Sequence, residues 1–325
     1  MTEDRRGGSD SSDPVGPVDA TAVPRFAGLA TFARLPLLDS VGRCDVAVAG
    51  VPFDAGTTFR PGARFGPSAV RQISRLLRTY DPALDVEPFA VQQVADAGDI
   101  VGTPFDLLQA VEQIERGADD LFTRAAHLLT IGGDHTVSLP LLRAVNRRFG
   151  RVALVHFDAH LDTWDTYFGA PYTHGTPFRR AFEESLLAED SSIHVGARSS
   201  TYAKSDFAED ASFGFRIVRA AEVETIGVDG AVERIRSRVG DAPVYVSIDV
   251  DVLDPAFAPG TGTPEAGGLT SRELLGMLAG MAGLPIVSGD VVEVAPAYDH
   301  AEITSIAASH LAYALIGLMP TARGR

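Results

Sequence analysis

The stretch Val152-Ala153-Leu154-Val155-His156-Phe157-Asp158-Ala159-His160-Leu161-Asp162 decides the fold. It begins as a near-continuous apolar run of strand length and stops abruptly in acids and a histidine. An apolar run without alternation is the mark of a strand covered on both faces, as in a parallel sheet between helical layers. Working outward, similar runs are expected to form strands at 45–51, 91–96, 127–131, 192–195, 215–218, 244–248 and 286–292, besides 152–157. Between them, helical spacing of apolar positions predicts helices over 67–78, 105–122, 139–149, 222–239, 271–281 and 302–318. This alternation is α/β, and it fits a closed barrel or an open doubly wound sheet equally well. Both place ligands at the carboxyl ends of the strands, where the polar clusters of this chain stand. Two long irregular stretches, 162–176 and 254–268, have the length of loops that serve a site.

Strand alternation predicts that Asp158, His160 and Asp162 share one face, as do Asp249 and Asp251 in Ser247-Ile248-Asp249-Val250-Asp251-Val252. Burying so many carboxylates without cations would cost several kcal/mol apiece or force their protonation. A buried two-metal hydrolytic centre is the economical explanation. His135, just past the strand Leu129-Thr130-Ile131 and its Gly132-Gly133 turn, is a sixth candidate ligand. Two imidazoles and four carboxylates suit a pair of manganese ions better than zinc, which favours sulfur and nitrogen. Singly, each aspartate could cap a turn at a strand end; four together point to metal. His156, on the apolar strand itself, is read as a satisfied core histidine.

Rival chemistries lack their residues. A calcium loop needs an oxygen ligand where Leu253 sits and a glycine where Asp254 sits. There is no G-x-S-x-G elbow, no H-E-x-x-H helix and no Walker lysine after a glycine-rich turn. The run 260–267 lacks the third glycine of a dinucleotide fingerprint.

The chain has 325 residues, 45% of them hydrophobic, enough for a full core, and no composition break divides it. A net charge of −15 argues against nucleic acid and anionic membranes as partners. The single cysteine, Cys44, makes no intrachain disulfide, and no apolar run has the length of a membrane span. A cytoplasmic location follows by default. Residues 1–22, rich in Gly, Ser, Asp and Pro, are expected to be a disordered tail ahead of a single catalytic domain, 23–325.

Taken together, Gly132-Gly133-Asp134-His135, Phe157-Asp158-Ala159-His160-Leu161-Asp162 and Ser247-Ile248-Asp249-Val250-Asp251, running on into Asp254-Pro255-Ala256-Phe257-Ala258-Pro259-Gly260, resemble the ureohydrolase family of arginases and agmatinases. The resemblance spans about residues 26–318. It implies a three-layer, open, parallel eight-stranded sheet with helices on both faces, assembled as homotrimers or homohexamers. It assigns one Mn2+ to His135, Asp158, Asp162 and Asp249, and the other to Asp158, His160, Asp249 and Asp251, with Asp158 and Asp249 bridging. A metal-bridging hydroxide, oriented by Asp162, would attack the guanidinium carbon and release urea and an amine. His174 matches the family's proton shuttle, although alone it would read as a solvated loop histidine capping the helix at Pro177. Glu293 matches the carboxylate that receives the guanidinium, and its sequel Val294-Ala295-Pro296-Ala297-Tyr298-Asp299 is similar to agmatinases.

The segments 60–67 and 254–268 look like the agmatinase branch, implying hydrolysis of agmatine to putrescine in polyamine metabolism. Thr173 to Arg180 also resembles 4-guanidinobutanoate hydrolases, and 3-guanidinopropanoate and proclavaminate-type enzymes share the motifs. A carboxylate tail would want an arginine, with Arg179, Arg180 and Arg198 as candidates. Trp164, Asp165, Tyr167 and Phe168 are the expected tail contacts, Asp165 favouring an ammonium group. A regulatory subunit would be expected to have lost some of these residues, and arginase-like deacetylases carry a different metal set.

Overall fold

A computed structural model describes residues 13–319. Eight strands form, β1 (Cys44–Gly50), β2 (Val94–Asp99), β3 (Ala125–Ile131), β4 (Ala153–Phe157), β5 (Ile193–Ala197), β6 (Arg216–Arg219), β7 (Val244–Asp249) and β8 (Ile286–Val292). They pair in the order β2-β1-β3-β8-β7-β4-β5-β6, every pair parallel. β2 and β6 are the two edge strands and do not pair with each other, so the sheet is open and the barrel alternative falls away.

The helices are α1 (Leu38–Val41), α2 (Gly66–Ser74), α3 (Pro88–Val91), α4 (Leu107–Phe122), α5 (Ser138–Phe149), α6 (Pro177–Glu183), α7 (Asp206–Ser212), α8 (Ala220–Val239), α9 (Ser271–Gly280) and α10 (Ile303–Leu318). They divide into two layers because successive strand residues feed opposite faces. Val46 and Val48 of β1, with Ala153, Val155 and Phe157 of β4, pack into the core shared with α8, α9 and α10. Ala47 and Ala49, with Leu154, pack into the other, shared with α4 and α5. This is why β1 and β4 are apolar on both faces along most of their length. Each fully buried aliphatic side chain contributes roughly 1.5–3 kcal/mol, and such residues hold both layers to the sheet.

The differences from expectation have local causes. β2 begins at Val94 rather than 91, because Pro88 starts a single helical turn that absorbs Phe89 and Val91. α8 is broken at Gly227, whose φ of 68° leaves the helical region. α7 was not anticipated: it is short and mostly polar, without an apolar stripe. Of the expected tail, residues 1–12 lie outside the described residues. Val15 exchanges two hydrogen bonds with the Gln93 side chain, and the Val18 N–H donates to the Arg34 carbonyl. Among the described residues, no helix is long and apolar enough to cross a membrane.

The four central strands β3, β8, β7 and β4 end side by side, and their carboxyl ends lead into His135, Glu293, Asp249 and Asp158. Sheet topology alone gathers the candidate residues in the crevice where open α/β sheets hold their ligands.

Candidate metal centre

After β3, Gly133 passes so near Phe53 that a Cβ there would collide with the Phe53 carbonyl. The turn delivers Asp134, whose side chain caps a 3-10 turn by accepting from Thr136 N (2.9 Å) and also accepts from Gly56 N (2.8 Å). That turn aims His135, fully buried, at the ends of β4 and β7. Its Nε2 lies 2.8 Å from Ser247 Oγ, whose own hydrogen goes to Asp290 Oδ1 at 2.6 Å. Ser247 therefore accepts from Nε2–H, and Nδ1 is the nitrogen left for the centre.

His135 Nδ1 has no hydrogen-bond partner, yet it faces Asp162 Oδ2 at 2.9 Å, Asp158 Oδ2 at 3.2 Å and Asp249 Oδ2 at 3.5 Å. A buried imidazole nitrogen converging with three carboxylate oxygens is a donor set for a divalent cation, so the residues present fit a metal; without one, burial is overcome by Asp158, Asp162 and Asp249, which push His135 well above the usual imidazole range. The ligand atoms of His135, Asp158 and Asp162, with His156, lie within 4.8 Å of one another, as do those of Asp158, His160 and Asp251. Asp158 belongs to both groups. Asp249 belongs to neither and joins the first through its oxygen near His135.

The convergence has a different origin from simple strand alternation. β4 ends at Phe157, and Asp162 sits at a φ of 55°, so the loop folds back rather than running extended. Asp158 Oδ1 accepts from the backbone N–H of His160 (2.6 Å), and Asp249 Oδ1 from that of Asp251 (2.8 Å). These local turns swing His160 Nδ1 to 3.0 Å from Asp251 Oδ2. Burial, then repulsion from Asp251 and Asp158, pushes Asp249 well above the usual carboxylate range; burial and Asp158 push Asp251 up to about 6. Expected as a core histidine, His156 is fully buried, but its Nε2 lies 2.8 Å from Asp158 Oδ2.

Glu293, the residue after β8, is 1% exposed and held at a φ of 64°, a strained conformation of the kind found at functional sites. Its Oε1 accepts from His135 N (3.0 Å) and lies 2.9 Å from His174 Nδ1, while its buried Oε2 has no partner. His174 is 8% exposed, not a solvated cap; its Nδ1 faces Glu293 Oε1 at 2.9 Å and its Nε2 faces Thr58 Oγ1 at 2.7 Å, two acceptors for a ring protonated on both nitrogens. Burial opposes protonation, but the Glu293 carboxylate, with Asp134 and Asp162 beyond it, pushes His174 up to about 9.

A cavity of about 310 Å3 opens over these groups, walled by Trp164, Tyr167 and Tyr202 and by hydroxyls including Thr58, Ser200 and Thr263. Of the residues nominated as tail contacts, Trp164 and Tyr167 line this cavity, whereas Asp165 turns outward to Arg180 (2.5 Å) and Phe168 is 92% exposed. The other nominated cations are also engaged away from the cavity, Arg179 with Glu183 and Glu209, and Arg198 with backbone carbonyls. Thr58, Tyr202 and Glu265 were missed. Glu265 alone carried a signal, since it lies in the long irregular stretch 254–268.

A family model described as Arginase family matches residues 44–317. The guanidinopropionase of Pseudomonas aeruginosa is 43% identical, covering 97% of this chain and 99% of its own. The agmatinase of Citrobacter koseri is 42% identical over 90% of this chain and 94% of its own. Among solved structures, proclavaminate amidinohydrolase from Streptomyces clavuligerus superposes with a TM-score of 0.86 at 43% identity, covering 91% of this chain and all of that one.

Proposed function

The chain belongs to the arginase family and is a hydrolase of guanidino carbon–nitrogen bonds, and within that class we propose an agmatinase-type enzyme that uses two Mn2+ ions to convert agmatine to putrescine and urea. The observation that carries the metal is His135 Nδ1, buried without a partner against three carboxylate oxygens. His135, Asp158, Asp162 and Asp249 would hold one ion, and Asp158, His160, Asp249 and Asp251 the other. Bound there, such a pair supplies Lewis acidity and a water acidic enough to act as nucleophile near neutral pH.

The chain's own residues would do the rest. Glu293 Oε2, buried and unpartnered beside Gly262, offers a carboxylate oxygen to a guanidinium N–H. Its Oε1 is fixed by His135 N and His174 Nδ1, so the free oxygen is pre-aimed. His174, carrying a proton up to about pH 9, would supply it to the departing amine. Asp162, at its strained φ, would turn an oxygen toward the attacking water. Trp164, Tyr167 and Tyr202 at the wall would help keep water from a bound substrate.

Agmatine is favoured over the guanidino acids because no Lys or Arg among the described residues lines the cavity, whereas Glu265 does. An ammonium tail meets that carboxylate and three aromatic rings, and a carboxylate tail would meet no cationic side chain. Urea release by Mn2+-loaded protein from agmatine, 4-guanidinobutanoate, 3-guanidinopropanoate and arginine, side by side, is the test. Agmatine should give the highest kcat/KM. A higher value for either guanidino acid would overturn the substrate, and no urea from any would overturn the activity.

His174→Ala should lower kcat about 10²–10⁴-fold while the protein still binds its ions, because the imidazole moves a proton and holds no metal. In the wild type, kcat should fall as pH rises through about 9, where His174 loses its proton. Metal analysis with a pH–rate profile checks both; a wild-type profile flat past that pH would remove His174 from the proton's path.

A further inference from the structure

Beneath the metal centre lies a second cluster of buried polar groups that the chemistry above does not use. His156 Nε2 lies 2.8 Å from Asp158 Oδ2, and His156 Nδ1 lies 2.7 Å from His194 Nδ1. His194 Nε2 lies 3.4 Å from Asp210 Oδ1, and Thr163 Oγ1 donates to that same oxygen at 2.7 Å. Thr163 follows Asp162 directly, so the chain of contacts leaves the centre at one carboxylate and returns at another. His156, His194 and Asp210 are each at most 1% exposed and Thr163 is 7% exposed. The aromatic rings of Phe178 and Phe215 pack on the two imidazoles. Polar groups in such surroundings cost stability unless satisfied; hydrogen bonds serve both nitrogens of His156, His194 Nδ1 and Asp210 Oδ1, whereas His194 Nε2 meets Asp210 only as a 3.4 Å charge contact and Asp210 Oδ2 has no hydrogen-bond partner.

The ring also reaches the substrate wall. Asp210 and Asp206 stand one turn apart on α7 and therefore on one face. Asp210 closes the ring, while Asp206 Oδ2 accepts from Trp164 Nε1 (3.3 Å) and from the backbone N–H of Tyr202 (3.0 Å). Trp164 and Tyr202 line the cavity and pack edge to face with centroids 6.2 Å apart.

We propose that His156, His194, Asp210 and Thr163 are positioning residues that orient Asp158 for metal and, through α7, couple metal loading to the placement of the Trp164–Tyr202 wall. The inference rests on the metal centre proposed above. Carboxylate–imidazole contacts behind a metal ligand fix its rotamer, and their loss typically weakens metal binding about 10–100-fold. The coupling is reciprocal: what holds the wall also holds Asp158.

Trp164 is the only tryptophan of the chain, so its emission reads the wall directly. Metal-stripped protein is titrated with Mn2+, following bound metal by equilibrium dialysis and Trp164 emission in the same samples. Wild type should show an emission change that tracks occupancy. His194→Phe should bind metal about 10–100-fold more weakly, and His194→Gln, whose amide can still donate to His156, should recover part of that loss. A ring that only fills space would be served as well by Phe. Thr163→Val removes one hydroxyl with little change of volume, and there the emission should stop following bound metal. Wild-type affinity in His194→Phe, no recovery in His194→Gln, or an unaltered emission response in Thr163→Val would each overturn the coupling while the metal centre stands. No bound metal in the wild type would overturn both.

Discussion

Asp249→Asn is expected to abolish turnover and, at the same time, to stabilise the metal-stripped protein. Asp249 is 3% exposed and shares its crevice with Asp158, Asp162 and Asp251, all buried. Without cations these carboxylates repel, and burial followed by repulsion from Asp251 and Asp158 raises the Asp249 pKa well above its usual value. The sign follows from linkage: a carboxyl whose folded pKa is raised costs the metal-free fold stability as pH climbs from its unfolded pKa toward its folded one. Asparagine removes that cost. It keeps the turn, since its amide oxygen can still accept from the N–H of Asp251 as Asp249 Oδ1 does at 2.8 Å. What it loses is one anionic donor beside His135 Nδ1.

Metal-free Asp249→Asn should therefore melt a few degrees above metal-free wild type at neutral pH, and the gap should shrink toward pH 4. Added Mn2+ should raise the melting temperature of the wild type much more than that of the variant. Urea release should fall on the order of 10³-fold or more, at least ~4 kcal/mol of barrier. Thermal melts with and without metal, metal analysis and urea release decide it. Two ions bound with normal turnover would remove Asp249 from the centre, and a lower metal-free melting temperature would show that its carboxylate is no burden to the fold.

The parts of this molecule legible from sequence are those where one local signal dominates. β8 was bounded correctly at 286–292 because β-branched pairs, Ile286-Val287 and Val291-Val292, enclose Ser288-Gly289-Asp290 and the segment ends at a glutamate. The His135, Asp158–Asp162 and Asp249–Asp251 clusters were legible because rare, costly residues follow apolar strands. The reason offered for their convergence was only half right. Asp162 reaches the centre through a left-handed turn, which alternation along a strand does not foresee.

What escaped depends on contacts between distant segments. Nothing beside His194 or Asp210 in sequence marks them as neighbours of Asp158, and α7 offers no apolar periodicity to reveal it. Asp165 misled because its closeness to Trp164 suggested a shared direction, whereas successive loop residues diverge and Arg180 draws it outward. Arg198 was nominated as an anion partner from its charge. Its actual task is set by six carbonyls, of Gly196, Asp251, Val252, Leu253, Glu265 and Ala266, that the fold brings together.

That task makes the second large effect. Arg198 donates from Nη2 to the carbonyls of Asp251 (2.8 Å), Leu253 (3.3 Å) and Glu265 (2.6 Å), from Nη1 to Val252 (3.1 Å) and from Nε to Ala266 (3.1 Å). Its own N–H donates to Ala159 at 2.9 Å. The guanidinium thus clamps the turn bearing Asp251 to the loop bearing Thr263 and Glu265, while the backbone of the same residue holds the loop bearing Asp158. Gly268 passes close enough that a Cβ would press on Nη2 at 2.6 Å. Burial lowers the Arg198 pKa against the pull of the nearby acids, first among them Asp251, so the side chain bears a desolvation cost that only these bonds offset.

Lysine keeps the charge but has three donors on a single point, without the planar fork that reaches both loops. Each carbonyl left without a donor costs about 1–3 kcal/mol where water cannot replace it. Because Arg198 is only half-buried, a total of about 2–4 kcal/mol is expected for Arg198→Ala and somewhat less for Arg198→Lys. The functional loss should exceed the loss of stability, since the freed loop sets Gly262 beside Glu293 Oε2 and carries Glu265 into the cavity. At a temperature where Arg198→Lys is still folded, KM for agmatine should rise and metal should dissociate faster on dilution into chelator. An Arg198→Lys protein with wild-type melting temperature, metal retention and KM would show that the loops hold themselves and that the carbonyl contacts are incidental.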